Sequence, residues 1–256
     1  MVTQTYRPAS LTARISAFLY GVTCYAIFFV TFLYAIGFVG NLVVPRSIDS
    51  APVFSLPHAV LVNVGLLGLF GLQHSLMARP WFKRRWTKIV PKPVERSTYV
   101  LFSSLCLIAL FYFWQPMGIT IWHVQPPLGQ AILYSLFAFG WSLVLVATFL
   151  INHFDLFGLR QVYLFLIGKP YTPLRFATPG PYKIVRHPLY VGWLFAFWAT
   201  PTMTIAHLVF AVVTTAYILV AIQLEERDLV ATHGQQYADY RRRVPMLLPI
   251  RRPVAR

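Results

Sequence analysis

Charge is scarce in this 256-residue chain, and acid is scarcer still. Seven Asp and Glu stand against 22 Lys and Arg, and charged residues make up only 11% of the sequence. An ordinary globular domain carries roughly 25%, so an ordinary water-soluble fold is excluded. Cysteine is nearly missing too. Cys24 and Cys106 both fall inside apolar stretches, which argues against a disulfide framework and leaves neither thiol in the electropositive setting that a nucleophile needs. His58, His123 and His207 are scattered with no carboxylate or thiolate beside them, so metal binding is not expected.

What the chain has is hydrophobic residues, 57% of the total, with a mean hydropathy of +0.61. Its few charges are segregated. Residues 15–45, 50–78, 97–154 and 187–224 contain no Asp, Glu, Lys or Arg, and each run exceeds the ~20 apolar residues that cross a bilayer. The expected fold is all-α: a polytopic transmembrane bundle of five to six spans. Spans are placed at 15–40, 58–77, 98–115 and 129–151. The third and fourth are parted by Pro116, Pro126 and Pro127, which favour a turn. Residues 187–224 read as a helical hairpin of two short arms turning near Pro201. Only Arg7 and Arg14 precede the first apolar run, and no small-residue cleavage site ends it, so it reads as a retained span. No internal repeat is visible. The chain is taken as one domain, with four spans in 1–151 and a cofactor-binding segment in 152–256.

The net charge of +15 does not point to nucleic acid, because the basic residues lie in the loops. Arg79, Lys83, Arg84, Arg85, Lys88, Lys92 and Arg96 crowd one connection; Arg160, Lys169, Arg175, Lys183 and Arg186 another; Arg227, Arg241, Arg242, Arg243, Arg251 and Arg252 the tail. Such a bias orients membrane proteins with the basic loops in the cytoplasm. Six crossings with both termini cytoplasmic fit these loops, and five spans plus a shallow hairpin is the alternative. The tail either rests on anionic headgroups or serves only as an orientation signal.

The chemistry is expected at the two feet of the hairpin. "RHPLYVGW" opens it at Arg186, and Pro188 suits a first helical turn. A plain helix cap with Arg186 at the interface would account for these residues alone. At the far foot, however, Glu225, Glu226 and Asp228 concentrate three of the seven acids directly after "AYILVAIQL". An ionisable group at a packed membrane boundary is costly and therefore a functional candidate. The hairpin brings this cluster beside His187 and Tyr190. Carboxylate, imidazole and phenol groups together suit a polar, partly cationic small molecule. In the second span His74 sits between Gln73 and Ser75, and Asn152 with His153 closes the fourth. A hydrogen bond between helices would explain either group as well as a substrate pocket would.

"TPGPYKIVRHPLYVGW" and "LEERDLVATHGQQYADYRRRVPMLLP" resemble the C-terminal signature of membrane-embedded S-adenosylmethionine-dependent methyltransferases, the group that includes isoprenylcysteine carboxyl and phospholipid N-methyltransferases. The elements G-x-Y, R-H-P-x-Y-x-G, E-E and G-x-x-Y-x-x-Y-x-x-x-V-P all occur, in order. "GLQHSLMARPWFKRRWTKIVP", "ERSTYVLFSSL" and "INHFDLFGLRQVY" are similar to bacterial methanethiol S-methyltransferases along essentially the whole chain. The resemblance implies methyl transfer from S-adenosyl-L-methionine to methanethiol, giving dimethyl sulfide at the membrane–cytosol boundary. It implies cofactor contacts from Tyr182, His187, Pro188, Leu189, Tyr190 and Glu225, with Gln161, Phe176 and Ala177 as further matches. A substrate pocket of His74, Ser75, Asn152 and His153 is expected, with Arg186, His187 or His74 helping to form the thiolate. The same chemistry on a longer thiol, an isoprenylcysteine carboxylate or a lipid amine is the alternative. A transporter or sensor would instead carry its ionisable residues at mid-membrane.

Overall fold

A computed structural model describes residues 9–51 and 54–250. Arg7, Arg251 and Arg252, invoked above for the N-terminus and the tail, lie outside them. Five helices are long and apolar enough to cross a membrane: α1 (Leu11–Gly40), α2 (Leu56–Ala78), α4 (Lys92–Phe113), α5 (Pro127–Ile151) and α9 (Ile205–His233). At 22 to 30 residues each, they extend about 33–45 Å, more than the ~30 Å hydrocarbon core. Shorter helices are α3 (Pro80–Trp86), α6 (His153–Leu156), α7 (Leu159–Leu166), α8 (Pro188–Trp198) and α10 (Gln235–Arg243), with a 3-10 turn at Gly180–Lys183. The chain is an integral membrane protein built as a helical bundle.

Proline and small polar residues set the helix starts. Ser10 accepts a hydrogen bond from the Ala13 amide at the head of α1. Pro lies at the first turns of α2, α4, α5 and α8, where its missing N–H costs nothing. At the end of α5, Asn152 takes a left-handed conformation (φ 96°) and its side chain caps α6 through the Asp155 amide. Asn tolerates that region better than most residues, so the chain turns sharply out of the span there.

The hairpin is asymmetric, which corrects the expectation of two short arms. Helix α9 is a full span, whereas α8 has 11 residues and rises only about 16 Å. The chain covers the remaining height in extended form through Ala199–Thr204. Strand β2 (Thr202–Thr204) pairs antiparallel with β1 (Thr120–His123), from the α4–α5 connection. The "ATPTMT" stretch thus holds a strand where a simple turn was expected. The Trp122 indole donates to Thr200 O (3.2 Å) and the Trp114 indole to Ile48 O (3.1 Å). Asn63 exchanges two hydrogen bonds with the Gln115 backbone, at 2.7 and 2.8 Å. Thr204 donates to Asp49. Together these seal one end of the bundle, called here the β end. The opposite, basic end gathers α3, α6, α7 and α10.

Close packing of α8 on α5 depends on two glycines. A Cβ on Gly140 would lie 2.5 Å from the Ala196 nitrogen, and one on Gly192 would lie 2.8 Å from the Gly140 oxygen. Helix backbones approach this closely only across small residues. The resulting core is strongly aromatic, with Phe38, Phe111, Trp114, Trp141, Phe197 and Phe210 among its buried members.

Candidate active site

The two feet of the hairpin meet at the basic end. Glu226 is 4% exposed. Its Oε1 accepts from Arg186 Nε at 2.6 Å and lies 2.9 Å from His187 Nε2. Arg186 Nη1 also donates to Arg241 O (3.0 Å) and Val244 O (2.6 Å), and the amides of Arg186 and His187 bond to Pro245 O and Met246 O. The arginine therefore ties the start of α8 to the segment after α10. Glu225, the neighbouring acid, turns to the other side, where its Oε2 accepts from Tyr190 Oη at 2.9 Å. One carboxylate is built into the scaffold. The other is held by a single phenol.

Glu225, Tyr190 and His187 line a cavity of about 660 Å³ that runs from the basic end far into the bundle. Its basic end is also lined by Tyr182, Leu189, Arg186, Phe176, Ala177, His233, Tyr237 and Tyr240. Phe176 packs edge-on against Tyr237 and Tyr240, with ring centroids 5.7 and 5.5 Å apart. Tyr240 Oη donates to Tyr182 O at 2.6 Å, linking α10 to the 3-10 turn. Burial pushes the Tyr240 phenol up to about 12, Glu226 adding to the rise while Arg186 opposes it. Burial, with Glu225 next, raises Tyr182, and burial, with Glu226 next, raises Tyr237. All three phenols stay neutral at physiological pH. This end presents a carboxylate and electron-rich ring faces, a donor set suited to a cation.

Deeper in, the lining turns apolar, with Phe32, Phe70, Leu107, Trp141, Trp193 and Phe210. One polar cluster interrupts it. His74 Nδ1 lies 3.2 Å from Ser103 Oγ, and Tyr99 Oη lies 2.9 Å from His74 Nε2. The Arg96 guanidinium sits 4.9 Å from the centre of the Tyr99 ring. Behind this cluster Ser75 Oγ pairs with Tyr217 Oη at 3.1 Å. Tyr217 lines the cavity while Ser75 does not.

Part of the cavity lining belongs to residues that are also exposed on the outside of the bundle. They are Phe29 of α1, Leu145, Leu150 and Ile151 of α5, and Leu174, Arg175 and Ala177 of the segment between α7 and the 3-10 turn, all of them exposed. Phe29 borders the outward stripe of Val22, Val30 and Leu33, and Leu145 adjoins Val146 and Phe149. These exposed lining residues run along α1 and α5 and reach the basic end at 174–177. Phe32 against Trp141 (centroids 5.3 Å) and Tyr25 Oη on His153 Nε2 (2.8 Å) join α1 to α5 and α6.

Of the residues singled out in the sequence, Tyr182, Arg186, His187, Leu189, Tyr190, Glu225, Phe176, Ala177, His74 and His153 share this cavity. Pro188 is buried and opens α8. Gln161 donates to Asp155 O (3.0 Å) and is not among the lining residues. Asn152 lies on an adjoining depression of about 420 Å³ with Phe154, which shares Leu150, Ile151, His153, Leu174 and Arg175 with the cavity. His153 is held between Thr148 Oγ1 and Tyr25 Oη, each 2.8 Å away, and burial lowers its pKa. Tyr99, Ser103, Tyr217 and Tyr240 were not foreseen. Tyr237 and Tyr240 carried a signal, being the two tyrosines of the G-x-x-Y-x-x-Y block; Tyr99 and Ser103 lie in "ERSTYVLFSSL" but had no role to suggest until α4 was paired with α2. Among the described residues no cluster of three His, Cys, Asp or Glu could hold a metal.

A bundle whose deep cavity joins a carboxylate-and-tyrosine end to an apolar interior defines the class. With the phospholipid methyltransferase family model matching residues 130–236, the chain is a membrane-embedded methyltransferase. It is 63% identical over 240 residues to the methanethiol S-methyltransferase of Crocosphaera subtropica, covering 94% of each chain. It is 55% identical over 236 residues to that of Mycobacterium tuberculosis (92% of this chain, 97% of the relative). It is also 55% identical over 238 residues to methanethiol S-methyltransferase 1 of Bradyrhizobium diazoefficiens (93% and 84%). The chain belongs to the methanethiol S-methyltransferase family. No solved structure matches it.

Proposed function

We propose that this protein transfers a methyl group from S-adenosyl-L-methionine to methanethiol, releasing dimethyl sulfide, with its basic end facing the cytoplasm. The observation that carries the reading is the single cavity joining a cation-suited end to an apolar interior. The residues present fit the methyl donor. Glu225 offers a carboxylate to a ribose diol or an ammonium, Tyr182, Tyr190 and Tyr237 offer ring faces to a sulfonium, and the volume lies within the ~300–1,000 Å³ usual for small-ligand sites. When bound, the donor supplies a methyl on a positively charged sulfur with a neutral thioether as leaving group.

The protein's own contribution is alignment and deprotonation. Holding two reactants in near-attack geometry is worth on the order of 7–11 kcal/mol. A thiol attacks as its thiolate, and an ordinary thiol has a pKa of about 8.5. His74, within hydrogen-bonding distance of both Tyr99 and Ser103, is positioned to take that proton, and Arg96 beside Tyr99 favours the thiolate. Arg186 and His187 are engaged with Glu226 and shape the donor end. Methanethiol is apolar and the donor is charged, and lining residues exposed both along α1 and α5 and at the basic end support entry of each from its own phase. Headspace detection of dimethyl sulfide from purified protein supplied with both reactants tests the reading. Turnover that drops at least 100-fold in His74→Ala, with donor binding intact, supports the assignment; no dimethyl sulfide from the intact protein rejects the function.

A further inference from the structure

The cavity is much longer than methanethiol needs. Beyond the polar cluster of His74, Tyr99 and Ser103 it continues toward the β end, lined by Ala35, Leu107, Phe111, Phe197, Phe210 and Thr214. Along α4, Ser103 to Phe111 is eight residues, or about 12 Å of rise; along α9, Tyr217 to Phe210 is seven, or about 10 Å. A carbon–carbon bond of ~1.5 Å advances an extended alkyl chain about 1.3 Å per methylene, so the shaft holds about eight carbons. The hydroxyls along it are spent on backbone carbonyls: Thr214 on Phe210 O at 2.6 Å, Ser104 on Val100 O at 2.9 Å and Thr31 on Ile27 O at 2.7 Å. The bottom is closed where Trp114 packs on Phe210, with ring centroids 5.9 Å apart.

We propose that the same site methylates linear alkanethiols of up to about eight carbons, with sulfur at the His74 cluster and the chain in the shaft. The inference rests on the methyl-transfer reading above and extends it to a second class of acceptor. The thiol gives its proton to His74, the thiolate sulfur forms a bond to the donor methyl carbon, and the donor's carbon–sulfur bond breaks with its electron pair left on the donor sulfur. The products are an alkyl methyl sulfide, the demethylated donor and one proton. An apolar thiol of this length resides in lipid, and Phe29 and Leu145, which line the cavity, are also exposed on the outer face of the spans.

The test is a chain-length series, methane- to dodecanethiol, on the full-length protein in nanodiscs, read as kcat/KM against free aqueous thiol. Each buried methylene is worth ~0.8 kcal/mol, or about fourfold, so values should climb from methane- to hexanethiol and fall beyond octanethiol. Ala35→Phe, which fills the shaft, should lower the hexanethiol-to-methanethiol ratio at least tenfold. Thr214→Phe reads the same ratio from another helix if the first variant does not fold. Competitive inhibition of methanethiol methylation by hexanethiol, relieved in either variant, is the companion measurement. Methanethiol turnover with hexanethiol below a tenth of its kcat/KM overturns this inference alone, as does a ratio unmoved in a folded shaft variant. Loss of turnover with every thiol strikes instead at the methyltransferase reading.

Discussion

Replacing Glu226 with alanine should loosen the basic end more than any other single truncation there. Its carboxylate is buried, and it neutralises an Arg186 side chain only 11% exposed. Removing it leaves that guanidinium without its ion pair and the His187 imidazole without its partner. Breaking a buried pair from one side costs about 3–5 kcal/mol. Arg186 keeps the Arg241 and Val244 carbonyls, which places the loss toward the lower figure. For a chain of this size each kcal/mol moves the melting temperature by roughly 2–4 °C, so a drop of at least about 6 °C is expected. Glu226→Gln keeps an oxygen where both donors meet Oε1 but removes the charge, and should fall about half as far. Thermal unfolding in detergent at a fixed scan rate, with limited proteolysis after Gly234, reads both effects, because the pair anchors the segment following α10. A melting temperature within about 1 °C of the parent, with residues 234–250 still protected, would refute the reasoning that Glu226 is scaffold.

Gly140→Ala drives a methyl against the backbone of α8 and should destabilise by about 1–3 kcal/mol, measured by the same melt; an unchanged melt means the α5–α8 contact is looser than described. Tyr240 gives a signed pH prediction. Its folded pKa of about 12 lies above the ~10 of an exposed tyrosine, so its contribution is fully present below pH 10 and disappears as pH rises through 12. Tyr240→Phe should therefore show a shallower loss of stability between pH 10 and 12, and an equally steep loss would contradict it. Tyr99→Phe removes the hydroxyl beside His74 and should lower kcat about tenfold or more, with KM for the donor little changed; a loss confined to donor KM would place Tyr99 on the other side of the reaction.

The spans were legible because charge-free runs map directly onto bilayer thickness. The helices begin or end within a few residues of the expected 15–40, 58–77, 98–115 and 129–151. The hairpin was less legible, since hydropathy does not distinguish an apolar helix from an apolar extended segment. Only the pairing of Thr202–Thr204 with Thr120–His123 shows where α8 stops. The division of labour between Glu225 and Glu226 was hidden for a similar reason. Adjacent residues on a helix lie about 100° apart, so one had to face the packed interior, but which one depends on where α8 crosses. His74 could be picked out as a polar residue in an apolar span. Its partner Tyr99 could not, because a tyrosine near a membrane interface is ordinary.

Titrating the purified protein with S-adenosyl-L-methionine by calorimetry is the most direct test that the two feet of the hairpin hold one donor. Saturable one-to-one binding that vanishes in Glu225→Ala and in His187→Ala, while both variants remain folded in detergent, is the predicted result. Binding of parental strength in both variants would contradict it.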